Sequence, residues 1–350
     1  MQKLIVGCGY LGRRVAAAWL KEGHEVTALT RSSANAKELS RLGIRPVIGD
    51  VCDPATLAGL PVVETVLFAV GFDRTSGRSQ YEVYVDGLRN VLNQVASRCE
   101  RFVYISSSSV YGQSAGEWVD ETSPCEPVQP GGQCCLAAES MLREFFPSTK
   151  PASSLLPSPR RGGFGRGADV DSPVESLSPP LPGPPRQGEG DGERSVANVL
   201  RLSGIYGPGR LLSRIESLRA GEPLSGRGEA WLNLIHVDDA VAAVLACEQL
   251  GQPGETYLIT DDRPIKREEY YLQLAQLVGA PPPVFADDLP AKRGSGGLNK
   301  RCSNKKARAE LSLALTYPTI IAGLPHALSL SATATTFDAS PRNRMTPPAE

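Results

Sequence analysis

A glycine-rich turn near the start of the chain constrains the fold more strongly than any other part of the sequence. Residues 7–12 read GCGYLG and follow an apolar segment that ends at Val6. Apolar residues then recur at helical spacing as far as Gly23, and a second apolar segment, Glu25–Leu29, comes directly after. A strand, a tight turn, a helix and a second strand in this order form a βαβ unit. The turn therefore predicts the start of a parallel sheet.

The rest of the chain continues this alternation of short apolar segments with helical ones. The predicted strands are Leu4–Gly7, Glu25–Leu29, Pro46–Gly49, Thr65–Ala69, Phe102–Ser106 and Asn198–Leu202. The predicted helices are Leu11–Glu22, Ala34–Leu42, Val83–Ser97 and Ala137–Phe146. Because each crossover between parallel strands places a helix on a face of the sheet, this alternation indicates a doubly wound arrangement. We predict an α/β Rossmann-type fold with helices on both faces.

The composition changes abruptly at Pro151. From there to Arg194, 44 residues include 9 Pro and 8 Gly. Such a segment has too little apolar surface to offset the entropy of ordering it. We predict a disordered insert, and a Pro-rich docking loop is the alternative. The chain then divides into a core at 1–150, the insert at 151–194, the end of the core at 195–262, a small C-terminal substrate region at 263–328 and a disordered tail at 329–350.

Charge and cysteine content exclude several classes of protein. Lys and Arg number 37 and Asp and Glu 38, and the net charge of −1 argues against nucleic-acid binding. No apolar run approaches the roughly 20 residues of a membrane span, and the first residues enter a predicted strand too soon for a signal peptide. The eight cysteines contain no Cys-x-x-Cys pair. We therefore expect no metal site, and reduced thiols in a cytoplasmic protein.

The glycine-rich turn has the features of a dinucleotide-binding site. Gly7 permits the tight turn, Gly9 leaves room for a pyrophosphate, and Gly12 lets the helix approach the strand closely. The N–H groups at the start of the helix, at Tyr10 and Leu11, have no helical partner and would bind the anion.

The residues after the second strand distinguish NADP from NAD. An enzyme that uses NAD would have an acidic residue near Thr30 to bind the ribose hydroxyls. This chain has Arg31, Ser32 and Ser33 instead. Because a guanidinium binds phosphate through two parallel hydrogen bonds, we predict NADP, with Arg31 and Ser32 at its 2′-phosphate. NAD is the alternative, in which Arg31 is a solvated loop residue.

Two further strand ends are expected to line the cofactor. Asp50 follows the third strand, where its carboxylate would accept a hydrogen bond from the adenine amino group while Val51 packs on the ring. The residues after the fourth strand are small and would let the nicotinamide half lie over the sheet: Ala69, Val70 and Gly71.

Five segments occur in the order of a known family: Gly7–Gly12, Asp50–Asp53, Tyr104–Gly112, Arg201–Gly209 and Ile235–Asp239. Together they resemble the extended short-chain dehydrogenase/reductases, the NAD-dependent epimerase/dehydratase group. Outside the insert, the resemblance extends from Gln2 to Leu328. It implies that the hydroxyl of Ser107 holds the substrate oxygen. It also implies a small lid over the substrate, built from a segment near 210–231 and from the C-terminal region.

The chain departs from this family at its acid/base pair. The family has a Tyr-x-x-x-Lys motif after the serine strand, and its lysine lowers the pKa of the tyrosine. Counted back from Glu139, Gly131 stands here in the tyrosine position and Cys135 in the lysine position. Tyr111 is a candidate catalytic replacement. The family has a tyrosine there even beside the usual pair, which favours a structural role for Tyr111.

Other proton donors are weaker candidates. Cys134 or Cys135 could act as a thiol acid, but burial on an apolar helix face would raise the pKa of either thiol and leave it inert. Asp73, Arg74 and His236 are polar residues near predicted strand ends, where sites in such sheets lie. A histidine like His236 more often bonds a local backbone group, and Asp238 is predicted to cap the following helix.

Two functions from different classes remain open. One is an NAD(P)-dependent oxidoreductase or epimerase with an atypical proton donor, acting on a nucleotide sugar or another small carbonyl or alcohol. The other is a non-catalytic NAD(P)-binding regulatory or redox-sensing protein. The glycines, the serine run and the lid favour the first, and the missing pair favours the second. The expected partner is a small-molecule substrate, and a homodimer is a possible assembly. Basic residues that would hold a diphosphate are Arg210, Arg214, Arg227, Lys300 and Arg301.

Overall fold

The computed structural model describes residues 1–147, 195–210, 212–286 and 298–329. The strands of these residues are β1 Gln2–Val6, β2 Glu25–Thr30, β3 Arg45–Ile48, β4 Val63–Phe68, β5 Cys99–Ser107, β6 Glu117–Val119, β7 Val196–Leu202, β8 Gly204–Tyr206, β9 Leu224–Ser225, β10 Trp231–Leu232, β11 Leu234–His236, β12 Thr256–Ile259, β13 Ile265–Lys266, β14 Phe285–Ala286 and β15 Lys300–Cys302. The helices are α1 Tyr10–Lys21, α2 Ser33–Arg41, α3 Gly87–Val95, α4 Pro130–Phe145, α5 Leu212–Arg219, α6 Val237–Leu250, α7 Arg267–Val278, α8 Lys305–Glu310 and α9 Ile320–Ser329. The predicted insert at 151–194 and residues 330–350 of the predicted tail lie outside the described residues.

Seven parallel strands form the central sheet, in the order β12-β7-β5-β4-β1-β2-β3. The chain starts at β1, builds outward to β3, and then crosses back to β4 to build the other half. The strand order therefore reverses between β1 and β4, which is where ligands bind in such sheets. The predicted Rossmann-type fold is confirmed. The edge strand β12 was not predicted, because its four residues stand between polar turns.

Apolar side chains cover both faces of the sheet, as a doubly wound fold requires. One face packs on α3 and α4 through a cluster that includes Leu88, Leu92, Met141 and Leu142. The other face packs on α1, α2 and α6 through a cluster that includes Val15, Trp19, Leu39 and Val244. This packing fixes the carboxyl ends of the strands, where the predicted site residues lie.

Three helices begin or end differently from the prediction. Helix α4 begins at Pro130 rather than Ala137, because proline suits the first turn of a helix. The segment predicted as one helix at 83–97 is a π-helical turn at Glu82–Asp86 followed by α3. The N-cap of α6 is His236, not Asp238, because His236 Nδ1 accepts the hydrogen bond of the Asp238 N–H at 3.1 Å.

A third apolar cluster comes from α5, α7, α9 and short strand pairs, and includes Tyr206, Leu218, Tyr271, Leu274 and Leu324. These elements contain residues of the predicted lid and of the predicted C-terminal substrate region. Tyr10 connects the glycine turn to this part of the chain, since its Oη donates a hydrogen bond to the Pro208 carbonyl at 2.9 Å. Among the residues described, no helix combines the length and the apolar character needed to cross a membrane.

Candidate cofactor and active site

The glycine turn between β1 and α1 is closely packed at two glycines and open at the third. A Cβ added to Gly7 would lie 2.5 Å from the Ala69 carbonyl, and the φ of Gly7 is +96°. A Cβ added to Gly12 would lie 2.6 Å from the Gly7 carbonyl oxygen. A Cβ added to Gly9 would meet no atom within 4 Å. The turn therefore leaves space above Gly9, where the sequence predicts the pyrophosphate.

The first turn of α1 is suited to an anion. Its N-cap is Gly9, no described side chain caps it, and its first turn holds no acidic residue. The amides of Tyr10, Leu11 and Gly12 precede the first helical hydrogen bond, so they have no partner within the helix. Free amides at the positive end of a helix dipole favour phosphate oxygens. This turn fits the pyrophosphate of a dinucleotide.

Arg31 and Ser32 lie at the end of β2, as predicted, and both are exposed. Ser32 Oγ accepts a hydrogen bond from the Asn35 N–H at 3.3 Å and caps α2. Arg31 Nη2 donates to Asp73 Oδ2 at 3.0 Å, which places Asp73 beside the predicted 2′-phosphate position. Arg31 and Ser32 therefore provide a guanidinium and a hydroxyl at this strand end. The carboxylate of Asp73, from the segment after β4, lies beside them.

The other predicted cofactor residues also lie at carboxyl ends of strands. Asp50 follows β3, and its Oδ1 accepts a hydrogen bond from the Cys52 N–H at 2.9 Å. Val51 is buried beside Gly87, whose added Cβ would lie 2.7 Å from it. Ala69, Val70 and Gly71 follow β4, and the first two lie against Gly7. These residues and the glycine turn share one edge of the sheet.

Ser107 ends β5 and is half-buried. Its Oγ accepts a hydrogen bond from the Ser109 N–H at 3.1 Å, which caps the short turn that follows. The O–H of Ser107 remains a donor, since a hydroxyl can accept and donate at once. The adjacent Ser106 is buried and donates instead to Glu139 Oε1 at 2.7 Å. Of the two serines, Ser107 is therefore the one that could bind a substrate oxygen.

Tyr111 lies in the protein interior, with its side chain 0% exposed. Its Oη accepts a hydrogen bond from Arg201 Nη1 at 2.8 Å. Burial raises its pKa above the ordinary value for a tyrosine, and Arg201 opposes this shift. The phenol therefore belongs to a buried polar network, which favours the structural role for Tyr111 over the catalytic one.

Helix α4 carries Gly131 and Cys135 in the family's tyrosine and lysine positions. A Cβ added to Gly131 would lie 3.3 Å from Gln80 Nε2, so the Gln80 amide lies against the tyrosine position. Burial raises the pKa of Cys135 to about 12, although the Ser106 hydroxyl and the Ser107 N–H face its sulfur and lower it. The thiol therefore stays neutral near pH 7, as the sequence predicted.

Tyr84 is a phenol near these positions that sequence reasoning missed. It lies half-buried in the π-helical turn before α3, and this turn packs on α4. Its ring is 6.3 Å from the Phe72 ring, centroid to centroid. Burial raises its pKa, the nearby thiols of Cys135 and Cys134 add to this shift, and the Phe72 N–H opposes it. No motif marks Tyr84, because its place depends on how the turn packs.

His236 is fully buried, and burial lowers its pKa to about 4. His236, Asp238 and His326 bring possible metal-ligand atoms within 4.8 Å of one another. Because His236 Nδ1 accepts a backbone hydrogen bond, the ring proton lies on Nε2, which points at His326 Nδ1 at 3.2 Å. A neutral His236 with this cap has no lone pair left for a metal ion. The contact is therefore best described as a hydrogen bond between the two rings.

The basic residues proposed for the lid differ in their surroundings. Lys300 is buried, and its Nζ donates to the Tyr111 carbonyl at 2.9 Å. It is therefore not available to a diphosphate, in contrast to the prediction. Arg301 lies 5.1 Å from the Trp118 ring centroid and 5.3 Å from that of Trp231. Arg210 is exposed and lies 4.3 Å from the Tyr10 ring centroid, beside the glycine turn.

Comparison with known proteins agrees with this geometry. Residues 4–158 match the NAD-dependent epimerase/dehydratase family. Protein YeeZ of Escherichia coli K12 is 25% identical over 322 residues, which cover 90% of this chain and 95% of that protein. A 3-diazoavenalumate denitrifying reductase of a Streptomyces species is 26% identical over 346 residues, covering 93% and 99%. The structure of UDP-glucose 4-epimerase from Thermotoga maritima with UDP-glucose shares the fold, with a TM-score of 0.71 at 18% identity over 95% and 99% of the two chains.

Proposed function

We propose that this chain, which matches the NAD-dependent epimerase/dehydratase family of extended short-chain dehydrogenase/reductases over residues 4–158, is an NADP-linked oxidoreductase of a small carbonyl or alcohol substrate. One observation carries the proposal: the open face of Gly9 and the first turn of α1 lie at the carboxyl end of β1, and the Ser107 hydroxyl lies at the carboxyl end of β5, with only β4 between these strands. A dinucleotide bound over β1 would thereby place its reactive end toward β4 and β5.

The residues of the glycine turn would hold the pyrophosphate, with Asp50 and Val51 at the adenine and the segment 69–71 at the nicotinamide. Bound NADP or NADPH supplies the acceptor or donor of a hydride. Arg31, together with the absence of an acidic residue at positions 30–33, supports NADP over NAD. Ser32 caps α2 through its oxygen, so its O–H is the part that could reach a phosphate.

We assign three side chains to the reacting oxygen of the substrate. Ser107 would donate a hydrogen bond to it. The Tyr84 phenol would donate the proton, because the turn that carries it packs on α4; its raised pKa makes it a weaker acid than the tyrosine of the family's pair. The Gln80 amide, which lies against the family's tyrosine position, would supply a second hydrogen bond that holds the substrate. This assignment requires no proton transfer by Cys135, Tyr111 or His236.

The substrate is proposed only as a class. The reductase relative, named for a small diazo compound, supports a small reducible substrate, and the epimerase of the same fold makes a nucleotide sugar the second candidate. Of the basic residues that a diphosphate would need, Arg210 lies beside the glycine turn through its contact with Tyr10. The burial of Lys300 removes one of the others. These contacts support the smaller substrate more than the nucleotide sugar.

The test is turnover of NADPH with a panel of aldehydes, ketones and UDP-sugars. On any substrate that is turned over, Ser107→Ala should lower kcat by about 10²–10³, the loss typical of one donor to a developing oxyanion. Tyr84→Phe should lower kcat while the Kd of NADPH stays unchanged. Tyr81→Phe, an exposed tyrosine just before the same turn, is the matched control and should keep full activity.

Three results would contradict the proposal or one of its assignments. Stoichiometric NADPH binding without turnover of any compound in the panel would favour the non-catalytic NAD(P)-binding alternative. An unchanged rate for Ser107→Ala would remove this serine from the mechanism. An unchanged rate for Tyr84→Phe would show that another group donates the proton. Gln80→Ala would then show whether the family's tyrosine position still contributes to substrate binding.

A further inference from the structure

Arg31 and Asp73 connect two strand ends that are not neighbours in the sheet. Arg31 follows β2 and Asp73 lies in the segment after β4, while β1 runs between these strands. Their side chains meet with 3.0 Å between Arg31 Nη2 and Asp73 Oδ2. The ion pair therefore bridges the carboxyl end of β1, where the glycine turn begins. A cofactor bound at that turn would lie beside this pair.

Local hydrogen bonds hold the Asp73 carboxylate in place. Its Oδ1 accepts from the Thr75 N–H at 3.0 Å and from Thr75 Oγ1 at 2.7 Å. Ser76 Oγ donates to the Asp73 carbonyl at 2.6 Å. The hydrogen bonds from Thr75, followed by that from Arg31, lower the pKa of Asp73 below its ordinary value, so this carboxylate is charged at neutral pH. Its second oxygen, Oδ2, is the one that Arg31 binds.

The Arg31–Asp73 pair is open to water and can be exchanged. The side chains are 51% and 43% exposed, and pairs in such positions are weak. A phosphate monoester carries a charge between about −1.5 and −2 at pH 7 and offers two oxygens to one guanidinium, so it is a stronger partner for arginine. In the part of the chain that the structure describes, Arg31 hydrogen-bonds to Asp73. The Asp73 carboxylate therefore binds the same guanidinium that a 2′-phosphate would bind.

We propose that Asp73 is a determinant of cofactor selectivity, which competes with the 2′-phosphate of NADPH for the guanidinium of Arg31. This inference rests on the proposed NADP site. Asp73 weakens the binding of NADPH in two ways: its oxygen must leave Arg31, and its fixed negative charge remains near the phosphate. NADH has a hydroxyl in place of this phosphate, so Asp73 has little effect on NADH. Asp73 therefore reduces the preference for NADPH over NADH that Arg31 creates.

The substitution Asp73→Asn tests this role with little change in local structure. An amide oxygen still accepts both hydrogen bonds from Thr75, whereas the negative charge is lost. Asp120 provides a matched control, because its Oδ1 accepts the same two hydrogen bonds from Thr122, at 3.0 and 2.7 Å. The described residues include no arginine or lysine in a salt bridge with Asp120. Asp120→Asn therefore reproduces the local change without affecting Arg31.

Calorimetric titrations of the full chain with NADPH, NADH and 2′,5′-ADP give the readout, and no substrate is needed. Asp73→Asn should tighten NADPH and 2′,5′-ADP by about 1.5-fold to fivefold, the range expected when an exposed ion pair is removed. NADH should bind as before, and so should all three ligands to Asp120→Asn. In an Arg31→Ala background, the effect of Asp73→Asn on NADPH should become smaller, because no guanidinium is left to release and only the repulsion between the carboxylate and the phosphate remains.

The contrary outcomes are distinct. If Asp73→Asn leaves NADPH binding unchanged, Asp73 does not compete and the inference is wrong while the NADP site stands. If it weakens NADPH, Asp73 positions Arg31 instead, which also overturns the inference. If the unaltered chain binds neither dinucleotide, the proposed function fails together with the inference. If Arg31→Ala weakens NADPH and NADH equally, or weakens neither, the assignment of NADP to Arg31 fails.

Discussion

Arg201 on β7 binds the fully buried carboxylate of Glu139 on α4, through Nε at 3.0 Å and Nη2 at 2.7 Å. The same carboxylate accepts from Ser106 on β5, and the same guanidinium donates to Tyr111. Four side chains thus join α4 to two strands of the sheet in one buried network. The network sets the position of α4, and with it the positions of Gly131 and Cys135 against the end of β5.

Removing one member should leave a buried charge without its partner. We expect Glu139→Ala to lower the free energy of unfolding by about 3–5 kcal/mol, because Arg201 then stays buried and uncompensated. Urea unfolding followed by circular dichroism measures this loss. Glu144→Ala, at an exposed position of the same helix, is the control and should change stability by no more than about 0.5 kcal/mol. Equal and small losses for the two variants would show that the network contributes little.

Asp261 should make the stability of the protein depend on pH. Its side chain is buried, its Oδ2 has no partner among the described residues, and burial raises its pKa to about 8. Between the ordinary pKa near 3.8 and about 8, the folded state keeps a proton that the unfolded state releases. The free energy of unfolding should therefore fall as the pH rises through this window.

The variant Asp261→Asn separates this effect from the other titrating groups. The amide cannot ionise, and its oxygen still accepts the hydrogen bond that the Arg263 N–H donates to Asp261 Oδ1 at 3.3 Å. We expect a flatter pH profile, and higher stability than the unaltered chain near pH 8, in urea titrations between about pH 4 and pH 8. Parallel profiles for the two proteins would mean that Asp261 does not carry the raised pKa.

Sequence patterns predicted the elements that depend only on residues close to one another in the chain. Apolar segments and helical spacing gave six of the seven sheet strands, and the glycine spacing placed the turn at Gly7, Gly9 and Gly12. Tyr84 and Gln80 could not be found in this way. Both come to α4 from the segment after β4, and only the packing of that segment on α4 brings them to Gly131 and Cys135.

The contact between Arg31 and Asp73 shows the same limit. Each residue was noted separately in the sequence as a polar group at a strand end. Their contact depends on the strand order β4-β1-β2, in which residues 42 positions apart flank the same strand. The burial of Lys300 could not be predicted either. Lysine is usually a surface residue, whereas this lysine lies in the protein interior.

The predicted insert offers a test of the domain division. Its composition cannot support a packed core, so we expect a chain that joins Lys150 directly to Ser195 to keep its Tm and its Kd for NADPH. Thermal unfolding and calorimetry on the shortened chain give both values. A version with the residues of 151–194 in shuffled order is the control for chain length. A lower Tm for the shortened chain and for the shuffled one would show that the native segment is part of the fold.

The glycine turn should separate stability from cofactor binding. Gly7→Ala would place a Cβ 2.5 Å from the Ala69 carbonyl at a φ of +96°, so we expect it to lower the free energy of unfolding by about 2 kcal/mol or more. Gly9→Ala would add a methyl group with no protein atom within 4 Å, so the Tm should hardly change.

Cofactor binding, unlike stability, should be strongly affected by Gly9→Ala. The added methyl group would occupy the space above the first turn of α1, and the Kd of NADPH should rise about tenfold or more, because the pyrophosphate needs to approach this backbone closely. Calorimetry measures the Kd, and NADH should lose affinity by the same factor, since both dinucleotides share the pyrophosphate. Leu42→Ala, at an exposed position far along the chain from the turn, controls for nonspecific effects. Unchanged binding by Gly9→Ala would mean that no pyrophosphate passes over Gly9, and the cofactor site would have to be sought elsewhere on the sheet.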